Sequence, residues 1–219
     1  MRTEGVEDMA IKKSGNRSES VVQSLLSAQE LDPKERIIIS LIGAEGPSGQ
    51  RYEPIPGLTW LQKEVFLVLR RLEGDEGVRS SFEPHKLGMF SEEVDHLLQG
   101  LIADGFVSRA SGSKLTLSPE GKRLADEVLT SGKSGVITVR EVKELLNDLE
   151  YGDLITYVYS AYPGWDSASE VKHYLDDKGR RERLAHRLYD ADKISVERAA
   201  QVAGTSVEKF AGGHHKRTH

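Results

Sequence analysis

The chain contains 219 residues with a formal net charge of −5, and 37% of them are hydrophobic while 30% are charged. This balance is typical of a soluble protein with a modest core, and the length allows one large domain or two small ones. The chain has no cysteine, which excludes disulfide bonds and thiol catalysis. Its negative net charge differs from the overall basic character of most nucleic-acid-binding proteins, although local basic patches are compatible with that function.

Membrane and export features are absent from the sequence. No apolar run reaches the roughly 18 residues that span a bilayer, and the first twenty residues lack the apolar segment of a secretory signal. We therefore expect a cytoplasmic protein with no membrane partner. Residues 1–19 are rich in Gly, Ser, Lys, Arg and Glu and are predicted to be a disordered tail, because they cannot bury enough apolar surface to offset their ordering entropy.

Two helices are predicted in the first third of the chain. Asp32-Pro33 combines a capping carboxylate with a proline at the first helical position, and it starts a helix over 34–44. Thr59 is predicted to cap the next helix, WLQKEVFLVLRRL, which Gly74 and Gly77 end. The buried stripe of this second helix is predicted to be Leu61, Val65, Val68, Leu69 and Leu72.

Residues 91–118 are the centre of the fold prediction. Ser91 is a favourable N-cap for an amphipathic helix, and Gly105 is free to adopt the positive φ of a helix stop. Two short strands follow at 106–109 and 114–118. The apolar stripe of the helix comprises Val94, Leu97, Leu98, Leu101 and Ile102. A helix, a glycine stop and a small hairpin in this order are typical of the third helix and wing of a winged helix-turn-helix domain.

The connection before this helix, 78–90, shows no clear periodicity and is longer than a tight helix-turn-helix needs. After the wing, Ser118-Pro119 starts another helix, and 130–135 is predicted to be a linker. The remainder is helical by pattern, with a capping box at Thr138 and Glu141, a basic helix at 179–190, and a helix, glycine turn and short helix at its end.

The predicted fold class is therefore mainly α, with a two-stranded wing and an all-helical C-terminal region. Four segments are expected along the chain. They are a disordered tail at 1–19, a winged helix-turn-helix domain at 20–132, a helical C-terminal domain with a helix-turn-helix-like end at 136–211, and a polar tail at 212–219.

Two parts of the first domain resemble a known family. The helix TWLQKEVFLVLRRL contains Leu61-Gln62-Lys63, and the block FEPHKLGMFSEEVDHLLQGLIADGF leads into the wing. Both resemble the Panacea antitoxin-like domains, which have a similar Leu-Gln-Lys helix and a Gly-Pro-Tyr-Ser before the next helix; this chain has Gly88-Met89-Phe90-Ser91 there. The segment ITYVYSAYPGWDSASEVK at 155–172 is similar to a Tyr-Pro segment of that group. The resemblance implies a related fold and an antitoxin-like role.

A second resemblance lies near the end of the chain. The stretch LYDADKISVERAAQVAGTSVEKF at 188–210 is similar to a family of small antitoxin-like helix-turn-helix proteins. The shared residues are Lys193-Ile194-Ser195, Ala199-Ala200 and Ala203-Gly204. This resemblance implies a helix-turn-helix element, and the chain departs from the family pattern after Phe210.

The sequence contains no recognisable catalytic set, so we expect neither an enzyme nor a cofactor. A phosphate-binding glycine loop, a His-Glu-x-x-His motif and paired cysteines are all missing. His186 and Asp190 are one helical turn apart, but a surface pair is the favoured interpretation, and no metal site is predicted.

DNA binding by a transcriptional regulator is the first functional hypothesis, because it is the commonest use of this fold. On the third helix only His96 and Gln99 could contact base edges. Phosphate contacts are predicted from basic residues of the wing, the following helix and the basic C-terminal helix, namely Arg109, Lys114, Lys122, Arg123, Arg180, Arg181, Arg183 and Arg187. The second helix adds Lys63 and Arg70 as further basic residues.

The alternative hypothesis is a protein-binding module such as an antitoxin-like neutraliser or adaptor. The polar face of the third helix carries Glu92, Glu93 and Asp95 and has no arginine or lysine. These carboxylates would repel phosphates at close approach. A homodimer formed through the helices at 119–130 and 138–150 is also possible.

Overall fold

The computed structural model describes residues 27–86, 88–131, 133–165, 170–171 and 173–215. The predicted tail at 1–19 lies outside these residues. The described chain is mainly helical and contains two antiparallel two-stranded sheets. The helices are α1 (Pro33–Gly43), α2 (Leu58–Arg79), α3 (Glu92–Ala103), α4 (Pro119–Ser131), α5 (Lys133–Leu146), α6 (Tyr151–Ala161), α7 (His173–Asp176), α8 (Lys178–Asp190), α9 (Val196–Ala203) and α10 (Val207–His215). The strands are β1 (Glu83–His85), β2 (Gly88–Phe90), β3 (Val107–Arg109) and β4 (Leu115–Leu117).

Helix α1 is central to the fold, because it packs against α2, α3, α4, α5 and β4. Its start follows the prediction closely. Asp32 caps the helix through a side-chain oxygen that accepts from the Lys34 amide at 2.8 Å, while the Glu35 carboxylate accepts from the Asp32 amide at 2.9 Å. This reciprocal capping box, together with Pro33, fixes where the first helix begins.

Helix α2 differs from the prediction at both ends. It begins after Gly57 rather than after Thr59, and it runs to Arg79 with a break in helical geometry at Gly74, where φ is 78° and ψ is −166°. The predicted stop at Gly77 is therefore wrong, whereas Gly74 does interrupt the helix. Leu72 was predicted in the buried stripe but is 47% exposed; before the break, the buried residues of this helix end at Leu69.

The connection between α2 and α3 forms a hairpin that its sequence did not reveal. Strands β1 and β2 pair antiparallel, with Glu83 opposite Phe90 and His85 opposite Gly88. Strand β1 is wholly exposed, so it lacks the alternation of apolar residues from which a strand is predicted. Ser91 then caps α3 as expected, since its hydroxyl accepts from the Val94 amide at 3.3 Å.

The hairpin predicted after α3 is confirmed as two antiparallel strands. Gly105 follows α3 with φ of 77°, and β3 pairs with β4 so that Val107 lies opposite Leu117. The loop before α2 adds one bridge to this sheet. The Ile55 amide donates to the Leu115 carbonyl at 3.1 Å, and the Leu115 amide donates back to Ile55 at 2.9 Å.

The helices after the wing extend through the predicted linker. Helix α4 ends at Ser131 and α5 already begins at Lys133. Thr138 lies inside α5, so the predicted capping box with Glu141 is wrong. The predicted order of helix, glycine turn and second helix over 194–210 is confirmed, because Gly204 adopts φ of 71° between α9 and α10. Helix α10 continues to His215 and includes the first part of the predicted polar tail.

One hydrophobic cluster joins both sides of the predicted domain boundary at 132–136. It contains residues of α1, α2 and α3 together with Leu146, Leu184 and Val202 from the C-terminal helices. The packing of α5 on α1 and α2 connects the two halves. Among the described residues, no helix combines the length and hydrophobicity required to cross a bilayer.

Candidate macromolecule-binding surface

Helix α3 presents an acidic face to solvent. Val94, Leu98 and Leu101 are buried against the core, and the opposite side of the helix is exposed. The exposed or partly exposed polar residues are Glu92, Glu93, Asp95, His96, Gln99 and Asp104. Neither a lysine nor an arginine occurs in this helix, so the face has a negative potential.

Two contacts order part of this face. The Glu93 carboxylate forms an ion pair with Lys34 of α1. The Gln99 amide donates to the carboxylate of Asp95, one helical turn earlier, at 3.1 Å. Gln99 is thus engaged with its neighbour, whereas Glu92 and His96 form no hydrogen bond or ion pair with any residue that the structure describes.

Helix α2 holds the start of α3 through a buried glutamine. The Gln62 amide nitrogen donates to the Ser91 carbonyl at 3.0 Å, and the Ser91 amide donates to the Gln62 side-chain oxygen at 3.0 Å. One side chain therefore binds both backbone groups of the N-cap residue, whose carbonyl also accepts from the Asp95 amide at 3.2 Å. Since Gln62 is 1% exposed, this pair of bonds fixes the direction of α3 relative to the core.

Lys63 anchors the strand that leads into α3. Its ammonium group donates to the Met89 carbonyl at 3.0 Å, and the side chain is 2% exposed. Burial lowers the pKa of Lys63 to about 7. The sequence predicted Lys63 as a basic residue that could contact phosphates. Because its side chain is buried, Lys63 cannot bind a phosphate at the surface.

Glu64 of α2 and Lys143 of α5 are both fully buried. Lys143 donates to the carbonyls of Ile42, Ala44 and Glu53 at 3.1, 2.9 and 2.6 Å, which joins α5 to the end of α1 and the loop after it. Among the described residues, neither carboxyl oxygen of Glu64 has a hydrogen-bond partner. Burial raises the pKa of Glu64 to about 8, against the opposing effect of the Lys143 charge.

The polar triplet Gln62-Lys63-Glu64 was missed as a positioning element by sequence reasoning. Its only signal is three consecutive polar residues within an otherwise apolar helical stretch. Such residues are usually assigned to the solvent side of a helix, and only the packing of α3, α5 and the β1–β2 hairpin around α2 buries them.

The basic residues predicted at the wing lie on the surface. Arg109 ends β3 and Lys114 precedes β4, so both lie at the turn end of the hairpin, and both are exposed. On α4, Lys122 lies with its ammonium 5.1 Å from the centre of the Tyr52 ring, and Arg123 pairs with Glu127 at 3.5 Å.

The basic residues predicted on α8 are mostly engaged within the chain. Arg180 and Arg187 bind the two oxygens of the Asp153 carboxylate at 3.0 and 2.9 Å. Arg181 donates to the carbonyls of Val202 and Gln201 at 2.8 and 3.2 Å, where it satisfies the C-terminal end of α9. These three arginines hold α6, α8 and α9 together, and Arg183 alone among the four predicted arginines is exposed without such a bond.

Metal binding finds no support in the described part of the chain, which contains no group of three or more His, Asp or Glu side chains that could hold an ion. His186 instead stacks on Phe210, with ring centres 4.5 Å apart. Comparison of the chain with protein-family models, with curated proteins and with solved structures finds no match. The surface is therefore interpreted from its own residues.

Proposed function

We propose that this chain is a winged helix-turn-helix module that binds a protein partner with a basic surface through the acidic face of α3. The order of α1, the Ile55 bridge, α2, α3 and the β3–β4 hairpin supports the winged-helix assignment. The observation that carries the choice of partner is the exposed face of α3, which holds carboxylates and no basic residue. A DNA-reading helix most often presents Arg, Lys, Asn or Gln to base edges, and a row of carboxylates is repelled by nearby phosphates.

The anchoring of α3 supports the same proposal. The bonds from Gln62 and Lys63 fix the helix start, so the acidic face is presented rigidly before a partner arrives. A preformed face loses less entropy on binding than a flexible one. Complementary charges on a partner would accelerate association and select against acidic surfaces.

Charge reversal on α3 tests this proposal. Glu92→Lys/Asp95→Lys should abolish copurification of a stoichiometric partner from the source cells, because two attractive charges become repulsive. The matched control is Glu197→Lys/Glu208→Lys, which removes first-turn carboxylates from α9 and α10 and should leave the complex intact. Retention of the partner by the α3 variant, or its loss from both variants, would contradict the assignment.

DNA binding by a transcriptional regulator remains a second candidate because of the wing. Arg109 and Lys114 are exposed at its turn end and form no hydrogen bond or ion pair through their side chains with the described residues. Wing residues in this position can contact phosphates while the recognition helix lies in the groove.

A salt titration tests the second candidate. If the wing binds duplex DNA, Arg109→Ala/Lys114→Ala should reduce the slope of log affinity against log salt by about 2, as expected for two lost phosphate contacts. Lys178→Ala/Lys209→Ala, which removes exposed lysines of α8 and α10 outside the predicted phosphate contacts, is the matched control and should keep the slope. Binding of a mixed-sequence duplex that is absent even at low salt would exclude this candidate. DNA binding would also predict higher affinity in Glu92→Lys/Asp95→Lys, the opposite of a lost protein complex.

A further inference from the structure

A cavity of about 340 Å³ lies where the C-terminal part of α2, the end of α6 and helix α9 meet. It is remote in sequence from the α3 face and unrelated to the binding surface described above. Its charged lining consists of three arginines and one carboxylate, Arg70, Arg79, Arg198 and Asp75. The cavity therefore has a positive potential in a protein whose net charge is negative.

Two of the three guanidinium groups are held in place. The guanidinium carbons of Arg70 and Arg198 lie 4.8 and 4.9 Å from the centre of the Tyr162 ring. One nitrogen of Arg198 also donates to the Ala161 carbonyl at 2.6 Å, and Arg70 pairs with Asp75. Arginines fixed in this way lose little freedom when they bind an anion, and their remaining N–H groups can donate to its oxygens.

Arg79 completes the positive side of the cavity. It is exposed at the end of α2 and forms no hydrogen bond or ion pair with another residue that the structure describes. Among the described residues, therefore, nothing competes with a ligand for its guanidinium group.

An adjoining cavity of about 320 Å³ supplies an apolar half. It shares Arg79, Pro163 and Trp165 with the first cavity and adds Phe82 and Pro84. Trp165 is partly exposed there. A planar ring placed against an indole gains both buried area and favourable stacking.

We propose that these two cavities form one binding site for an organic phosphate with a planar aromatic part, the chemical class of a nucleoside monophosphate. The phosphate lies among Arg70, Arg79 and Arg198, and the base lies against Trp165. Because the lining residues come from α2, α6 and α9, the bound ligand links the winged-helix half of the chain to its C-terminal helices.

Isothermal titration of the full chain with the four nucleoside monophosphates tests the proposal, with inorganic phosphate and adenosine as partial ligands. We expect at least one nucleotide to bind about tenfold or more tightly than inorganic phosphate or adenosine, because each of these partial ligands occupies only half of the site. Arg79→Ala should weaken the nucleotide by about tenfold or more, as for the loss of one charge-assisted contact. Arg183→Ala removes an exposed arginine of α8 and should bind as the wild type does.

A second measurement locates the ligand. In Trp60→Phe the only tryptophan is Trp165, so nucleotide binding should change its fluorescence with the same dissociation constant. Absence of binding at millimolar nucleotide would overturn the proposal, as would unchanged affinity in Arg79→Ala. Equal affinity for phosphate and nucleotide would overturn the aromatic half of the site.

Discussion

Glu64 and Lys143 combine full burial with ionisable groups. Lys143 has three carbonyl acceptors around its nitrogen, which matches the three donors of an ammonium group, so we assign it as charged. Burial lowers its pKa to about 8, an effect that the charges of Glu64 and Glu53 oppose. Glu64 has no donor at either oxygen, and a carboxylate in that position would be poorly solvated. We therefore assign Glu64 as the neutral acid at pH 7.

This assignment predicts a pH-dependent stability that Glu64→Gln removes. The pKa of Glu64 is about 8 in the folded chain and about 4.3 in an unfolded one, so the folded state binds the additional proton and loses stability as pH rises between these values. Glu64→Gln cannot titrate, and its free energy of unfolding should gain on the wild type by roughly 3–4 kcal/mol between pH 5 and pH 8. Urea unfolding at several pH values measures this difference.

The control for this experiment is Glu76→Gln, which changes an exposed glutamate of the same helix. Its stability difference from the wild type should be independent of pH over this range. Lys63, whose pKa is lowered by burial to about 7, contributes stability that is lost as pH falls from about 10.4 towards 7. That contribution is present in the wild type and both variants and cancels in the comparison.

At the scale of elements, the junction between α2 and α3 depends on a single side chain. Gln62→Ala would leave the buried Ser91 amide without an acceptor, while the Ser91 carbonyl would keep the Asp95 amide as a donor at 3.2 Å. A buried amide without a partner costs about 1–3 kcal/mol, and we expect a loss of that size in the free energy of unfolding, measured by urea denaturation. Gln99→Ala, at an exposed position of α3, should change it by less than about 0.5 kcal/mol. Equal effects of the two substitutions would show that Ser91 finds other partners.

The starts of α1 and α3 and the stops at Gly105 and Gly204 were predictable because they depend on near neighbours. Asp32 and Glu35 cap α1 over three residues, and Gly105 and Gly204 end helices through their own backbone freedom. The wing hairpin likewise follows from a short local pattern. The β1–β2 hairpin was missed because its exposed strand has no apolar alternation, and α5 started earlier than its apparent capping box since packing on α1 and α2 outweighed that local signal.

At the scale of the whole molecule, the shared core predicts one cooperative unfolding transition. Leu184 of α8 is 2% exposed and belongs to the same cluster as the residues of α1 and α2. Leu184→Ala should lower the stability of the entire chain by about 2–5 kcal/mol. The change should appear equally in circular dichroism and in the fluorescence of Trp60, read in a Trp165→Phe background.

Leu72→Ala provides the comparison, because Leu72 is 47% exposed and its truncation should cost little. If the halves before and after position 132 unfolded separately, the circular dichroism of Leu184→Ala would show two transitions instead of one. The homodimer through the helices around 119–130 and 138–150 stays a prediction. Val128, Val142 and Leu145 of these helices are already buried within the single chain, so these three side chains are not available to a second copy.

The amino-acid sequence by itself determined the mainly helical class, the capped starts of α1 and α3, the wing and the acidic face of α3, because each depends on residues within a few positions of one another. The tertiary structure alone decided the roles of charged and polar side chains whose partners are distant. Lys143 binds Ala44 across 99 positions, Gln62 binds Ser91 across 29, and Arg181 binds Val202 across 21. A polar residue in a helix is equally compatible with solvent, a buried carbonyl or a ligand cavity, and the choice is made only when other elements pack around it.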